Sequence, residues 1–332
     1  MNVFLYSGIN SFRSHGLASL TLSLPFPAID SDTLICTIKS LLSVNTSLNR
    51  RPNHRFIVYI ENIKKSYYQK TNAPEMIVVK LGGSVITDKS AENKARKKVI
   101  KRLTREIGLA KKDLILVHGA GSFGHTHASK YNLSEGFMKR EQLRGFHITH
   151  SSVRELNRIV MEYLYINNVF SVSIPPISFV KMHGGDLKYM DFGTFEDAIH
   201  LGLMPVTFGD VVFDDEKGFA ICSGDLLVLY LSRYFQPERV IFVIDEDGIF
   251  DKDPKASDAH LIEEIDAGNL PSAEGSRYTD VTGGMGGKIK VIKSIAEEGI
   301  DVFIINGNKR DRLYRCLIGK KVKGTHVVGE KT

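Results

Sequence analysis

Long apolar runs are missing from this chain. None approaches eighteen residues, so no segment is suited to cross a membrane as a helix. Cysteine is scarce. Cys36, Cys222 and Cys316 stand far apart, odd in number and in no metal-ligand spacing. That excludes a zinc cluster or disulfide scaffold and points to free thiols in a reducing, cytoplasmic setting. A basic body is also missing. Residues 1–75 hold eight Lys or Arg against four Asp or Glu, whereas the rest holds 36 against 34. The excess of +6 therefore sits mostly in the first quarter, and a pI of about 9.0 is a poor argument for a nucleic-acid partner.

Residues 1–75 are Ser-rich and poor in acids up to Glu61, and their apolar clusters lack a sustained period. Three readings stand beside one another. The stretch could be a transit-type segment, an added interaction region, or sequence upstream of a true start at Met76. The last is favoured. Pro74 breaks the chain just ahead of Met76, which leads directly into the first convincing strand.

What the chain does have is a set of strands that end in glycine. Met76–Leu81 reads as a buried strand running into Gly82-Gly83-Ser84, and it carries Lys80. A lysine in such a strand is costly unless it has a partner or a ligand; an edge strand with Lys80 in solvent is the alternative. Leu114–Val117 leads into His118-Gly119-Ala120-Gly121-Ser122-Phe123-Gly124-His125, with a helix expected from about Ser122. Strand, glycine turn and helix start form an arrangement that holds anions, because free N–H groups point at negative charge. Residues 91–110 and Thr149–Tyr165 read as helices, with 129–143 as loop or irregular helix between them. Val211–Phe213 and Phe219–Ile221 read as a hairpin. Ser223-Gly224-Asp225 opens an apolar helix through Tyr234. Val240–Ile244 is a strand ending in Asp245-Glu246-Asp247-Gly248-Ile249-Phe250. Asp280–Lys288 is a further glycine loop opening a helix to about Glu298, and Val302–Ile305 and Gly324–Val328 complete the sheet, the latter closing it.

Other phosphate folds fit less well. A dinucleotide fold would use one G-x-G-x-x-G and an acid about twenty residues on; Glu141 is the nearest and follows no strand. A P-loop is excluded, since the nearest candidate, Thr282–Ile289, has Thr for its first Gly and Ile for its last Ser or Thr. Several strand-to-glycine junctions, with Lys80, Lys89 and Lys288 in or beside three of them, suit two phosphorylated ligands facing each other.

Together, Lys80-Leu81-Gly82-Gly83-Ser84, Ser223-Gly224-Asp225, Asp245-x-Asp247-Gly248-Ile249-Phe250 with Asp253-Pro254, and Asp280–Met285 resemble the amino acid kinase superfamily. Val85–Lys89 and the histidine-ended loop His118–His125 resemble, within it, the isopentenyl phosphate kinase family. The resemblance covers residues 76 to about 328. It implies a three-layer α-β-α fold with a mainly parallel central sheet. It also implies an acceptor-phosphate half (76–215), an ATP half (216–332), a homodimer, and Mg²⁺ carried by ATP. The implied reaction makes isopentenyl diphosphate from an isoprenoid monophosphate, in an archaeal-type mevalonate route. Carried onto this chain, His125, Lys80, Lys89, Asp225 and Lys288 are the catalytic candidates, with Asp225 orienting lysines. Gly82, Gly83, Ser84, Gly119, Ala120, Gly121, Ser122, His125 and Gly224 would hold the acceptor. Lys80, Gly83, Asp245, Asp247, Gly248, Phe250, Lys252, Gly284, Gly286 and Lys288 would hold ATP. No protein-held metal is expected; Asp251 and Asp253 read as turn formers before Pro254. A kinase with a phosphonate, amino acid or nucleoside monophosphate acceptor, or a non-catalytic nucleotide binder, are the competing functions.

Overall fold

The computed structural model describes residues 76–270 and 284–330. Residues 1–75 and the 280–283 part of the last glycine loop lie outside them. The elements run β1 (Ile77–Leu81), α1 (Gly83–Ile86), α2 (Lys97–Ala110), β2 (Leu114–His118), α3 (His125–Lys130), α4 (Glu141–Ile166) and β3 (Ser171–Ser173). Then come β4 (Val180–His183), β5 (Asp186–Met190), α5 (Gly193–His200), β6 (Met204–Phe208), β7 (Asp210–Asp214), β8 (Gly218–Cys222) and α6 (Gly224–Phe235). The last are β9 (Arg239–Ile244), β10 (Glu264–Asp266), α7 (Gly284–Ala296), β11 (Asp301–Asn306), α8 (Arg312–Leu317) and β12 (Gly324–Val328).

Among the described residues, eight strands form one sheet in the order β10-β12-β11-β9-β1-β2-β6-β3, and only the β11–β12 pair is antiparallel. Strand alternation splits its side chains between two faces. Val78, Val117, Val240, Phe242 and Val302 pack with Leu227 and Leu231 of α6 and with Ile289 and Ile292 of α7. Ile77, Val79, Leu116, Ile241 and Val243 pack with α2, α4 and α8 through Ile100, Leu103, Leu156, Val160 and Leu313. The result is the expected α-β-α sandwich. A fully buried Ile or Leu of this kind contributes about 2 kcal/mol. A second sheet, β5-β4-β7-β8, stands apart from the first.

β1 lies between β9 and β2, so Lys80 is in a central strand, not at an edge. Other elements depart from expectation. Helix α2 starts at Lys97 instead of 91, because Thr87 and Ala95 first form a bridge. A 3-10 turn at Gly121–Phe123 precedes α3, so the regular helix begins at His125 and not at Ser122. α4 starts eight residues before Thr149. Its first turns bury Gln142 and Gly145 instead of apolar side chains, so the apolar period does not show them. Gln142 bonds four backbone groups of the preceding loop, at Met138, Lys139, Asn132 and Gly136. β12 is not the last strand, since β10 pairs outside it. Residue 215 falls in the β7–β8 turn, so that hairpin straddles the boundary between the two expected halves. Among the described residues no helix is long and apolar enough to cross a membrane.

Candidate active site

The carboxyl ends of β1, β2, β6 and β9 meet the starts of α1, α3 and α6, which is where open α/β sheets take ligands. Lys80 projects from β1 onto the face covered by α6 and α7. Ser223 caps α6, its hydroxyl accepting from the Leu226 N–H at 3.1 Å, and this sets Asp225 in the first turn. Asp225 lies 2.6 Å from Lys80 Nζ and 3.1 Å from Lys288 Nζ on α7. Phe242 of β9, the register partner of Lys80, has its ring 5.9 Å from Lys80 Nζ and 5.8 Å from Lys288 Nζ. One carboxylate and one aromatic face therefore hold two ammonium groups together out of water.

The electrostatics follow from that crowding. Burial, helped by the neighbouring Lys288 charge and opposed by Asp225, holds the Lys80 ammonium down to about 8. Burial would push the Asp225 carboxyl up, but the Lys80 and Lys288 charges outweigh it and hold it at about 2. The triad carries one net positive charge when all three groups are ionised, which suits a polyanionic ligand.

Two glycine loops pack backbone to backbone beside it. A Cβ on Gly83 would sit 2.5 Å from Gly121 N, and one on Gly119 would sit 2.6 Å from Gly83 N. Gly121 also has φ +51°, a conformation that favours glycine. Thr87 pins the pair. Its hydroxyl donates to the Gly83 carbonyl at 2.7 Å and accepts from the Ser122 N–H at 3.0 Å. The Gly119 N–H goes to the Leu81 carbonyl, and those of Phe123 and Gly124 go to Ala120 and Gly121. His125 is exposed at the first position of α3. Behind the loop, His118 is wholly buried on Phe208 and held by Asn157; burial keeps its imidazole down to about 4, hence neutral.

Other expected residues form a third group. Lys89 pairs with Asp245 at 3.3 Å, and Ser84 also bonds Asp245. Lys89 thus reaches the β9 end and not the Asp225 carboxylate. Asp247 is tied to Arg312 at 2.7 Å, Asn306 at 2.9 Å and Lys323 at 3.0 Å. Gly248 lies against Thr325, where a Cβ would come within 2.5 Å of its hydroxyl. Phe250 bridges to Leu261, and Lys252 pairs with Asp258 on an exposed loop. Gly284 and Gly286 open α7. Asp251 accepts from the His260 N–H and Asp253 from the Lys255 N–H, as turn formers do. Gly224 abuts Lys80, a Cβ there lying 3.3 Å from Lys80 Cε.

Sequence reasoning gave no role to three features near the site. Thr87 stood inside a quoted motif without a role, and Phe242 looked like ordinary core. The His150–Asp210 pair, at 2.7 Å, joins residues sixty positions apart.

Comparison with known proteins gives the chain's family. The profile of the Amino acid kinase family matches residues 75–306. An isopentenyl phosphate kinase of Methanothermobacter thermautotrophicus is 38% identical over 265 residues, which is 77% of this chain and 100% of the relative. That of Methanocaldococcus jannaschii is 34% identical, covering 76% and 98%. A crystal structure of an isopentenyl phosphate kinase superposes with a TM-score of 0.67 at 36% identity, over 76% of this chain and 100% of that one. A substrate complex of such an enzyme gives 0.65 at 30%, over 76% and 100%. The chain belongs to the amino acid kinase family, in its isopentenyl phosphate kinase branch.

Proposed function

We propose that this chain transfers the γ-phosphoryl group of ATP to isopentenyl phosphate, giving isopentenyl diphosphate and ADP. The observation that carries this is the Lys80–Asp225–Lys288 triad set beside the paired glycine loops. The names of the relatives supply the acceptor. Phosphoryl transfer asks the protein for alignment and charge neutralisation more than for covalent work. An acceptor that is already a phosphate monoester needs no strong base; it needs relief from repulsion between two anions. Lys80 and Lys288 neutralise the moving group, and Asp225 keeps both ammonium groups aimed. Lys89 comes from the Asp245 side. The Gly119–Ser122 loop backs the acceptor phosphate, and His125 clamps it in line. Asp245, Gly248, Gly284 and Gly286 border the nucleotide; Mg²⁺ carried in with it would offset phosphate charge.

Residues 76–215 are read as the acceptor half and 216–332 as the nucleotide half, with the working unit beginning near Met76. A homodimer is proposed as well. Exposed Tyr165, Ile166, Phe170 and Leu201, near edge strand β3, offer apolar surface for it. The deciding assay follows ADP release from Mg-ATP with isopentenyl phosphate, fosfomycin, UMP and glutamate. Turnover on isopentenyl phosphate above the others is expected. Preference for another acceptor would move the chain to a different kinase reaction, and no turnover would leave a nucleotide binder.

A further inference from the structure

The mechanism above leaves the buried Asp210–His150 pair unused. Asp210 follows β6 with its carboxylate fully out of solvent. One oxygen accepts the Val211 N–H at 2.8 Å, and the other lies 2.7 Å from His150 Nδ1. Burial is the main influence on Asp210 and pushes its carboxyl up, against the His150 contact. A buried carboxylate is costly, and few places justify one without a partner that needs orienting.

The pair's surroundings locate it. Asp210 comes directly after Gly209, whose N–H bonds the His118 carbonyl at the end of β2. A Cβ on Gly209 would lie 3.0 Å from Gly224 N, beside Asp225. His150 is on α4, one turn before Val153, and Val153 lies against Gly124, where a Cβ would come within 3.2 Å of it. The pair is therefore wedged between the glycine loop that ends in His125 and the start of the helix that carries Asp225. Phe146 stacks on the imidazole and helps to fix its plane. With Nδ1 on Asp210, Nε2 is turned the other way, and among the described residues no group accepts from it. The His150 side chain is 18% exposed, open enough to meet a ligand.

We propose that His150 is a second donor to the acceptor's phosphate, and that Asp210 is the residue that positions it. With Nδ1 held at Asp210, Nε2–H is left to donate to a phosphate oxygen. No bond is made or broken at His150. This rests on the acceptor reading above, and it adds an anion contact from α4 that the glycine loop does not supply.

Calorimetric titration of the full chain with isopentenyl phosphate, and separately with ATP, tests it. His150→Ala is expected to weaken isopentenyl phosphate about 10-fold or more, as loss of a hydrogen bond to a charged group would, with ATP affinity within about 2-fold of wild type. Asp210→Asn should weaken it less, and the double variant should be no worse than His150→Ala, because Asp210 acts through His150. If His150→Ala does not fold, His150→Gln is read instead, with retained ATP affinity as the check on folding. Unchanged isopentenyl phosphate affinity in a variant that binds ATP normally overturns the proposal, as does an additive double variant. Wild-type protein that binds ATP but no isopentenyl phosphate defeats the acceptor reading itself, and the role of His150 falls with it.

Discussion

Asp225 Oδ1 stands 2.6 Å from Lys80 Nζ, where the first turn of α6 crosses the end of β1. The contact keeps a buried ammonium charged. Burial alone moves a lysine toward its neutral form, and Asp225 is the charge that opposes it. Lys80 is held at about 8, so its cation is present below that pH and lost above it. Turnover limited by Lys80 should fall as pH rises through about 8. Asp225→Asn removes the opposing charge, so the alkaline limb should move to lower pH, with kcat at neutral pH down about 10²-fold or more. A pH–rate profile checks this. A limb that stays in place would mean that Lys80 does not govern the step.

His125 tests the other ligand. His125→Ala and His125→Gln are expected to lower kcat/KM for the monophosphate about 10²-fold, in line with loss of a positioned donor to developing charge. KM for ATP should change little. His147, exposed on α4, is the control, and His147→Ala should leave both constants alone. Near-normal turnover and acceptor KM in both His125 variants would remove the clamp role.

Much of this site was legible because each strand that ends at it is a short apolar run stopped by glycine. Lys80 stood out as a cation among Ile77, Val78, Val79 and Leu81, and burial at 6% exposure bears out that it needs a partner. What did not show were relations between distant residues. That Asp225 orients lysines came from the family resemblance and not from spacing: Asp225 and Lys288 meet because α6 and α7 share one face of the sheet. The β4–β5 pair was hidden by its mixed polarity, with a bulge between Lys181 and Met182. α8 was hidden because its start is held from outside. Glu106, buried on α2, accepts the Asp311 and Tyr314 N–H groups at 3.3 and 3.1 Å. Asp247 looked like a nucleotide ligand by position, yet its carboxylate already has three cationic or amide partners.

The glycines separate into two kinds, and alanine scanning should show it. Gly83→Ala places a Cβ 2.5 Å from the Gly121 backbone nitrogen, where no flexible side chain can yield. Overpacking of this sort costs about 1–3 kcal/mol, and here it also parts the two loops. Gly287 lies in helix α7, and among the described residues nothing is within 4 Å of an added Cβ. Gly287→Ala should stabilise by about 0.5–1 kcal/mol through the helix preference of alanine. Chemical denaturation compares them. Equal effects would mean that the close approach of the loops does not persist in solution.

Thr87 links stability to acceptor binding through one hydroxyl. It is 1% exposed, donates to the Gly83 carbonyl and accepts from the Ser122 N–H. Thr87→Val keeps the shape and deletes both bonds, leaving a carbonyl and an amide without that partner between packed loops. Each such group costs about 1–3 kcal/mol. For a domain of this size, 1 kcal/mol corresponds to about 2–4 °C in Tm, so a drop of several degrees is expected. The Ser122 amide is also the one that fixes the far end of the loop leading to His125. Its release should raise the acceptor KM while leaving the ATP KM near wild type, since the Lys288 and Asp245 contacts are elsewhere. Thr87→Ser retains the hydroxyl and should restore the acceptor KM even where it loses some stability with the methyl group. If Thr87→Val lowers Tm but moves neither KM, the hydroxyl holds the loops together without shaping the acceptor site.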